Sequence, residues 1–263
     1  MLPADLLPDV AHIVDATTRG ELAAGLIADE RDYVSSFARG MRDSWRRLGA
    51  RANVINLVLQ RRVEQLIGCD TMVAVGDATS WKILFLEAKY PRANNATSYR
   101  WDYRVKKSKA SHFAGQLFRQ QRVRLSSAVY EMIIDDSPLG YASAGWTPWG
   151  CRLISHQDAL KTDRTLQKGA LWRTADLLAA MSRSPSLSLR HVFDELVKCR
   201  NGIRSGAPFR LSDVLSPEFE REASFAIDLE SLLSPEGAQM LRRTALALGV
   251  NHLLVLGDIR LPE

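Results

Sequence analysis

The chain has 263 residues, 46% apolar and 25% charged, with a formal net charge of +5. That is length enough for a large core, and no apolar run reaches the roughly 20 residues of a membrane span. The opening MLPADLLPDVAHIVD is acidic and Pro-interrupted, which does not read as a signal peptide. The odd, widely spaced Cys69, Cys151 and Cys199 favour reduced thiols in a cytoplasmic protein over a disulfide frame or zinc site.

In chain order, TTRGE offers Thr18 as a helix N-cap with Glu21 three residues on. Helical spacing follows through Val34, Phe37, Met41, Trp45 and Leu48, with Gly49 as a stop. Glu30 lies four residues before Val34 on the same face, where a carboxylate either faces inward toward a cation or sits just past the core edge. Three β-type runs come next: Asn53–Gln60, whose periodicity would also allow a helix, then Thr71–Val75 and Lys82–Ala88. The turn GDATS makes the last two a hairpin. Ser111–Arg124 reads as a helix and Ala128–Ile134 as a strand. Beyond them, Cys151–Ser155 reads as a short strand, Leu171–Met181 and Leu189–Arg200 as helices, Pro235–Leu248 as helical, and HLLVLGDI as a buried strand.

The stretch LFLEAKYPR carries an apolar run into Glu87 and Lys89, which alternation places on one face. Asp70 opens the preceding strand, 17 residues earlier, so the hairpin brings two carboxylates close. Together with the Ala88 carbonyl they make an oxygen-ligand set suited to Mg²⁺ or Mn²⁺. Lys89 then orients or deprotonates a water and offsets transition-state charge. The plainer alternative is an ion pair at a sheet end.

Between Arg92 and Arg124 there are nine Lys or Arg against one acid, Asp102, a local charge of +8. Tyr99, Trp101 and Tyr103 alternate within it. Cations mixed with aromatics suit a polyphosphate partner with bases to stack on: Arg104, Lys106, Lys107 and Lys109 for phosphates, Tyr99 and Trp101 for bases. A solvated basic loop is the other reading. The aromatic turn GYASAGWTPWG is a recognition loop or a packed corner.

Asp70, a gap, then Glu87-Ala88-Lys89 on a hairpin resembles the PD-(D/E)XK nuclease superfamily, whose core has the same order of helix, three strands, helix and strand. The resemblance covers about residues 29 to 136. It implies that Glu30 on the preceding helix is an additional acid and that Gln116, in FAGQLFRQQ, supports catalysis. With Tyr130 further on, Gln116 is similar to the Gln-and-Tyr motif of the exonuclease-like branch. The residue before Asp70 is Cys69 where the family often has proline, and Glu64 is a competing acid.

The expectation is an α/β, restriction-endonuclease-like core with a central mixed sheet flanked by helices and a C-terminal, mostly helical extension. Its segments are an N-terminal helical piece (1–28), the core (29–136) and an α/β extension packed on it (137–263). The implied function is a Mg²⁺-dependent nuclease, catalytic through Asp70, Glu87, Lys89, Glu30 and Gln116, with DNA favoured as partner. An RNA-directed nuclease of the same fold, or a non-catalytic nucleic-acid-binding subunit, stands as the alternative. No membrane partner is expected. A homo-oligomer or a larger defence or repair complex is compatible with the sequence.

Overall fold

The computed structural model describes residues 6–47, 53–58, 66–76, 80–95, 98–106, 109–134, 151–183, 187–198, 202–206, 215–217 and 253–256. Two helices lead: α1 (Leu7–Ala23) and α2 (Glu30–Arg47). Strands β1 (Asn53–Val58), β2 (Thr71–Gly76) and β3 (Ser80–Lys89) follow, then a small ribbon of β4 (Arg92–Asn95) and β5 (Ser98–Arg100). Helix α3 (His112–Gln120) leads to β6 (Val129–Ile133) and β7 (Arg152–Ser155). Helices α4 (His156–Asp163), α5 (Thr174–Arg183) and α6 (Leu189–Val197) precede β8 (Ile203–Gly206) and β9 (Leu253–Leu256).

The strands other than the ribbon form one seven-stranded sheet in the order β7-β6-β3-β2-β1-β9, with β8 also paired to β3. It is mixed. β3 and β6 run parallel, joined across α3, and the other pairs are antiparallel. Alternation splits β3 between two cores. Leu84, Leu86 and Ala88 join the cluster under α1, α2 and α6, with Phe37, Met41 and Phe193. The opposite face, which carries Glu87 and Lys89, lies on the side of α3. The core there holds Phe113, Leu117, Ile133, Ile154 and Trp172. Each fully buried Phe or Leu contributes about 1.5–3 kcal/mol.

Several elements depart from the sequence-based expectation. Thr18 is not a cap: it lies inside α1, and its hydroxyl donates to the Val14 carbonyl at 2.8 Å. Gly25 then takes a left-handed φ of +73° just past α1. The cap of α2 is Asp29, whose carboxylate accepts the Asp32 amide at 3.0 Å. Helix α3 stops at Gln120, four residues early, as Val123 turns away to bridge Leu215. Helix α5 starts at Thr174 because the Arg173 amide is bound by the Asp176 carboxylate, one half of a capping box. Helix α6 ends at Val197.

The described residues of the C-terminal part hold more helix than strand. Its described residues supply β7, β8 and β9 to the central sheet as well as three helices. Among the described residues no helix is long and apolar enough to cross a membrane. Glu64, Lys107, Cys199, the GYASAGWTPWG turn and the 235–248 helix lie outside the described residues.

Candidate active site

The cleft begins with a close approach. Gly68, at φ +71°, brings its backbone so near α3 that an added Cβ would lie 2.6 Å from the Gln116 carbonyl oxygen. The Gln120 side chain locks this approach by donating to the Gly68 carbonyl at 2.9 Å. Two residues on, Asp70 enters the sheet. Its amide donates to the Leu86 carbonyl at 3.0 Å, and its carboxylate accepts the Ala88 amide at 2.8 Å. Asp70 is thereby clasped to the β3 backbone beside Glu87.

Glu87 and Lys89 sit in near-complete burial, 2% and 5% exposed. The Lys89 ammonium donates to Glu87 Oε1 at 2.6 Å and to Gln116 Oε1 at 2.8 Å, and lies 4.7 Å from the centre of the Phe113 ring. The Gln116 amide also donates to Glu87 Oε1. Both donors go to one oxygen, and among the described residues the buried Oε2 has no hydrogen-bond partner. Glu30, the first residue of α2, holds the rim by accepting the Tyr90 amide at 3.0 Å.

The structure therefore brings Glu30, Asp70, Glu87, Lys89 and Gln116 to one cleft of about 180 Å³, also lined by Arg31, Tyr90, Trp101, Asp102, Tyr103 and His112. Charge in it is unbalanced. Burial pushes the Glu87 carboxyl well above its ordinary range, and the Asp70 charge adds to the rise, while Lys89 opposes it. Burial alone would lower Lys89, but Glu87, Glu131, Glu30 and Asp70 outweigh it and its pKa ends above normal. Among the described residues, no group of three or more His, Cys, Asp or Glu stands in metal-holding geometry.

Sequence reasoning missed Glu131. It is the register partner of Glu87 on the parallel strand β6, fully buried, and among the described residues neither carboxylate oxygen has a partner of hydrogen-bonding geometry. Burial raises it to about 7, with Lys89 and the nearby Gln120 side chain opposing the rise. Its signal was an acid in the middle of the apolar run AVYEMII. Behind it, Gln120 Oε1 accepts from His156 Nδ1 at 2.8 Å. Burial lowers that imidazole to about 4, so it is neutral. Tyr130 falls on the opposite face, in the other core, and lines a separate cavity with His191 and Glu195. It does not join Gln116.

The basic segment divides. Arg104, Lys106 and Lys109 are exposed on a turn after the ribbon, closed by Val105–Ala110 and Lys109–Val105 backbone bonds of 2.8 Å. Tyr99 lies in β5, with its backbone opposite Ala93. Trp101 does not stand out for stacking. It is only 4% exposed, belongs to the α3-side core, and its indole N–H donates to the Thr174 hydroxyl at 3.3 Å. The nearby Tyr103 is the exposed ring.

No protein-family model, no curated protein and no solved structure matches this chain.

Proposed function

We propose that the chain is a metal-dependent nuclease that hydrolyses phosphodiester bonds, with DNA the favoured substrate, on a PD-(D/E)XK-type core. One observation carries this: a buried, unpartnered carboxylate oxygen, Glu87 Oε2, in a cleft that gathers Asp70 and Glu30 around the buried Lys89. A cleft that gathers acidic side chains and leaves one buried acceptor open fits a hard cation, which would favour their charged form.

Asp70 and Glu87 are the residues that would hold Mg²⁺ or Mn²⁺, with the Ala88 carbonyl as a further oxygen donor. When bound, the ion would supply Lewis acidity, lowering the pKa of a water and offsetting charge on the phosphate. Lys89 serves the attacking water, as a cation that orients it or as the group that takes its proton. It also stabilises the charge that develops on phosphorus-bound oxygens. Gln116 fixes that geometry by bridging Lys89 and Glu87. Glu30 ties the start of α2 to the strand end through Tyr90.

Incubating the protein with supercoiled plasmid, single-stranded DNA and RNA, in Mg²⁺ and in EDTA, tests the proposal and separates the DNA from the RNA reading. Nicking or shortening that needs Mg²⁺ is the expected result. Binding without turnover in any metal would leave a nucleic-acid-binding subunit.

A further inference from the structure

Two rings wall the cleft that the hydrolysis itself does not use. Tyr103 and His112 stack face to face, with centroids 4.3 Å apart and planes 16° from parallel. Both line the same cavity as Asp70, Glu87 and Lys89. Tyr103 is 42% exposed, in contrast to the sequestered Trp101 two residues earlier.

The pair is built into the fold. The His112 amide donates to the Tyr103 carbonyl at 2.9 Å, and Arg104 bridges Ser111 as the next rung. Asp102 clamps the base of this turn. Its buried carboxylate accepts from the Tyr103 amide at 2.7 Å, the Ser111 hydroxyl at 2.5 Å, the Phe113 amide at 2.9 Å and the Trp172 amide at 3.3 Å. An anion fits there, beside the N-terminus of α3, which Ser111 caps. The one acid of the basic segment thus fixes the two rings against the catalytic cleft.

We propose that the Tyr103–His112 pair is a stacking platform for one nucleobase beside the scissile phosphate, and that the cleft therefore takes unpaired nucleic acid: a single strand or a frayed end. This rests on the nuclease reading and adds the substrate class. A base inside a duplex is stacked on both neighbours and has no face to offer, whereas an unpaired base stacks readily on an aromatic side chain. The cations exposed on the same turn, Arg104, Lys106 and Lys109, supply the partner charge for its backbone.

Fluorescence anisotropy in EDTA, with the 263-residue chain, tests the platform without turnover. The probes are a labelled oligothymidylate of about a dozen nucleotides, the same backbone made of abasic residues, and a duplex of equal length. Wild type should favour the oligothymidylate over the abasic strand by about 5- to 150-fold, the range for losing one stacked base. Tyr103→Ala should lose that preference and bind the abasic strand as wild type does, while Tyr103→Phe stays within about twofold of wild type.

Equal wild-type affinity for based and abasic strands, or Tyr103→Ala keeping the preference, overturns the platform. If Mg²⁺-dependent cleavage persists in that case, the nuclease reading survives alone. Absence of both binding and cleavage by wild type sinks both. The wild-type comparison of the two strands decides the matter even if Tyr103→Ala fails to fold.

Discussion

Replacing Glu131 with Gln isolates the least conventional feature of the sheet, a fully buried acid opposite Glu87 with no partner of good hydrogen-bond geometry among the described residues. Its carboxyl titrates at about 7 against an ordinary 4.5. Below pH 4.5 the group is protonated in both folded and unfolded chains and has no effect on the balance. From 4.5 to 7 the unfolded chain gives up the proton and the folded chain keeps it, so wild-type stability falls as pH rises through this window and levels off above it. At about 1.4 kcal/mol per pH unit the loss is about 3 kcal/mol. Glutamine has the shape of the neutral acid and does not titrate. The stability of Glu131→Gln relative to wild type should therefore climb by about 3 kcal/mol between about pH 4.5 and about pH 8. Urea unfolding in EDTA at several pH values measures the difference and cancels the other titrating groups. A difference that is flat with pH, or one in which wild type gains with rising pH, would refute the reasoning. The second outcome would make Glu131 a charged partner of Lys89.

Gly68→Ala should lower stability by about 1–3 kcal/mol, because the new Cβ meets the Gln116 carbonyl and the backbone is left-handed there. A urea midpoint shifted at constant slope shows it, and an unchanged midpoint would mean that α3 is free to retreat. Neutralising the exposed pair with Lys106→Gln and Lys109→Gln should weaken DNA binding similarly across sequences. The log K against log salt slope should flatten by roughly 0.7 to 0.9 for each phosphate that is no longer neutralised. A slope equal to wild type would make the turn a solvated surface and place the strand's path elsewhere.

The strands were legible because their chemistry is local. Alternation in LFLEAK put Glu87 and Lys89 on one face, and the hairpin with β2 placed Asp70 within reach. Gln116 was reached only through the family resemblance, and the structure buries it on α3 with Phe113 and Leu117. What escaped depends on distant partners. Asp102 read as one acid among nine cations, yet its acceptors are filled partly from Trp172, 70 residues away. Glu131 gained meaning only when β6 paired with β3 in a register that sets it against Glu87. Trp101 and Tyr103 have the same alternating position in sequence. Packing against Thr174 and the α3-side core buries the first and leaves the second exposed. Thr18 matched a capping box by spacing, but α1 had already begun at Leu7 and its hydroxyl turned back onto Val14.

The single-turnover cleavage rate of Glu87→Gln beside wild type, in saturating Mg²⁺, tests the central claim most directly. Glutamine keeps the side chain's volume and an acceptor for Lys89 but removes the charge that a cation needs, so the fold should persist by circular dichroism. The account predicts a fall in rate by orders of magnitude, and a comparable fall per folded molecule for Lys89→Ala. Wild-type cleavage by folded Glu87→Gln, on the same strand and at the same Mg²⁺ concentration, would contradict the assignment of this cleft as the site of phosphodiester hydrolysis.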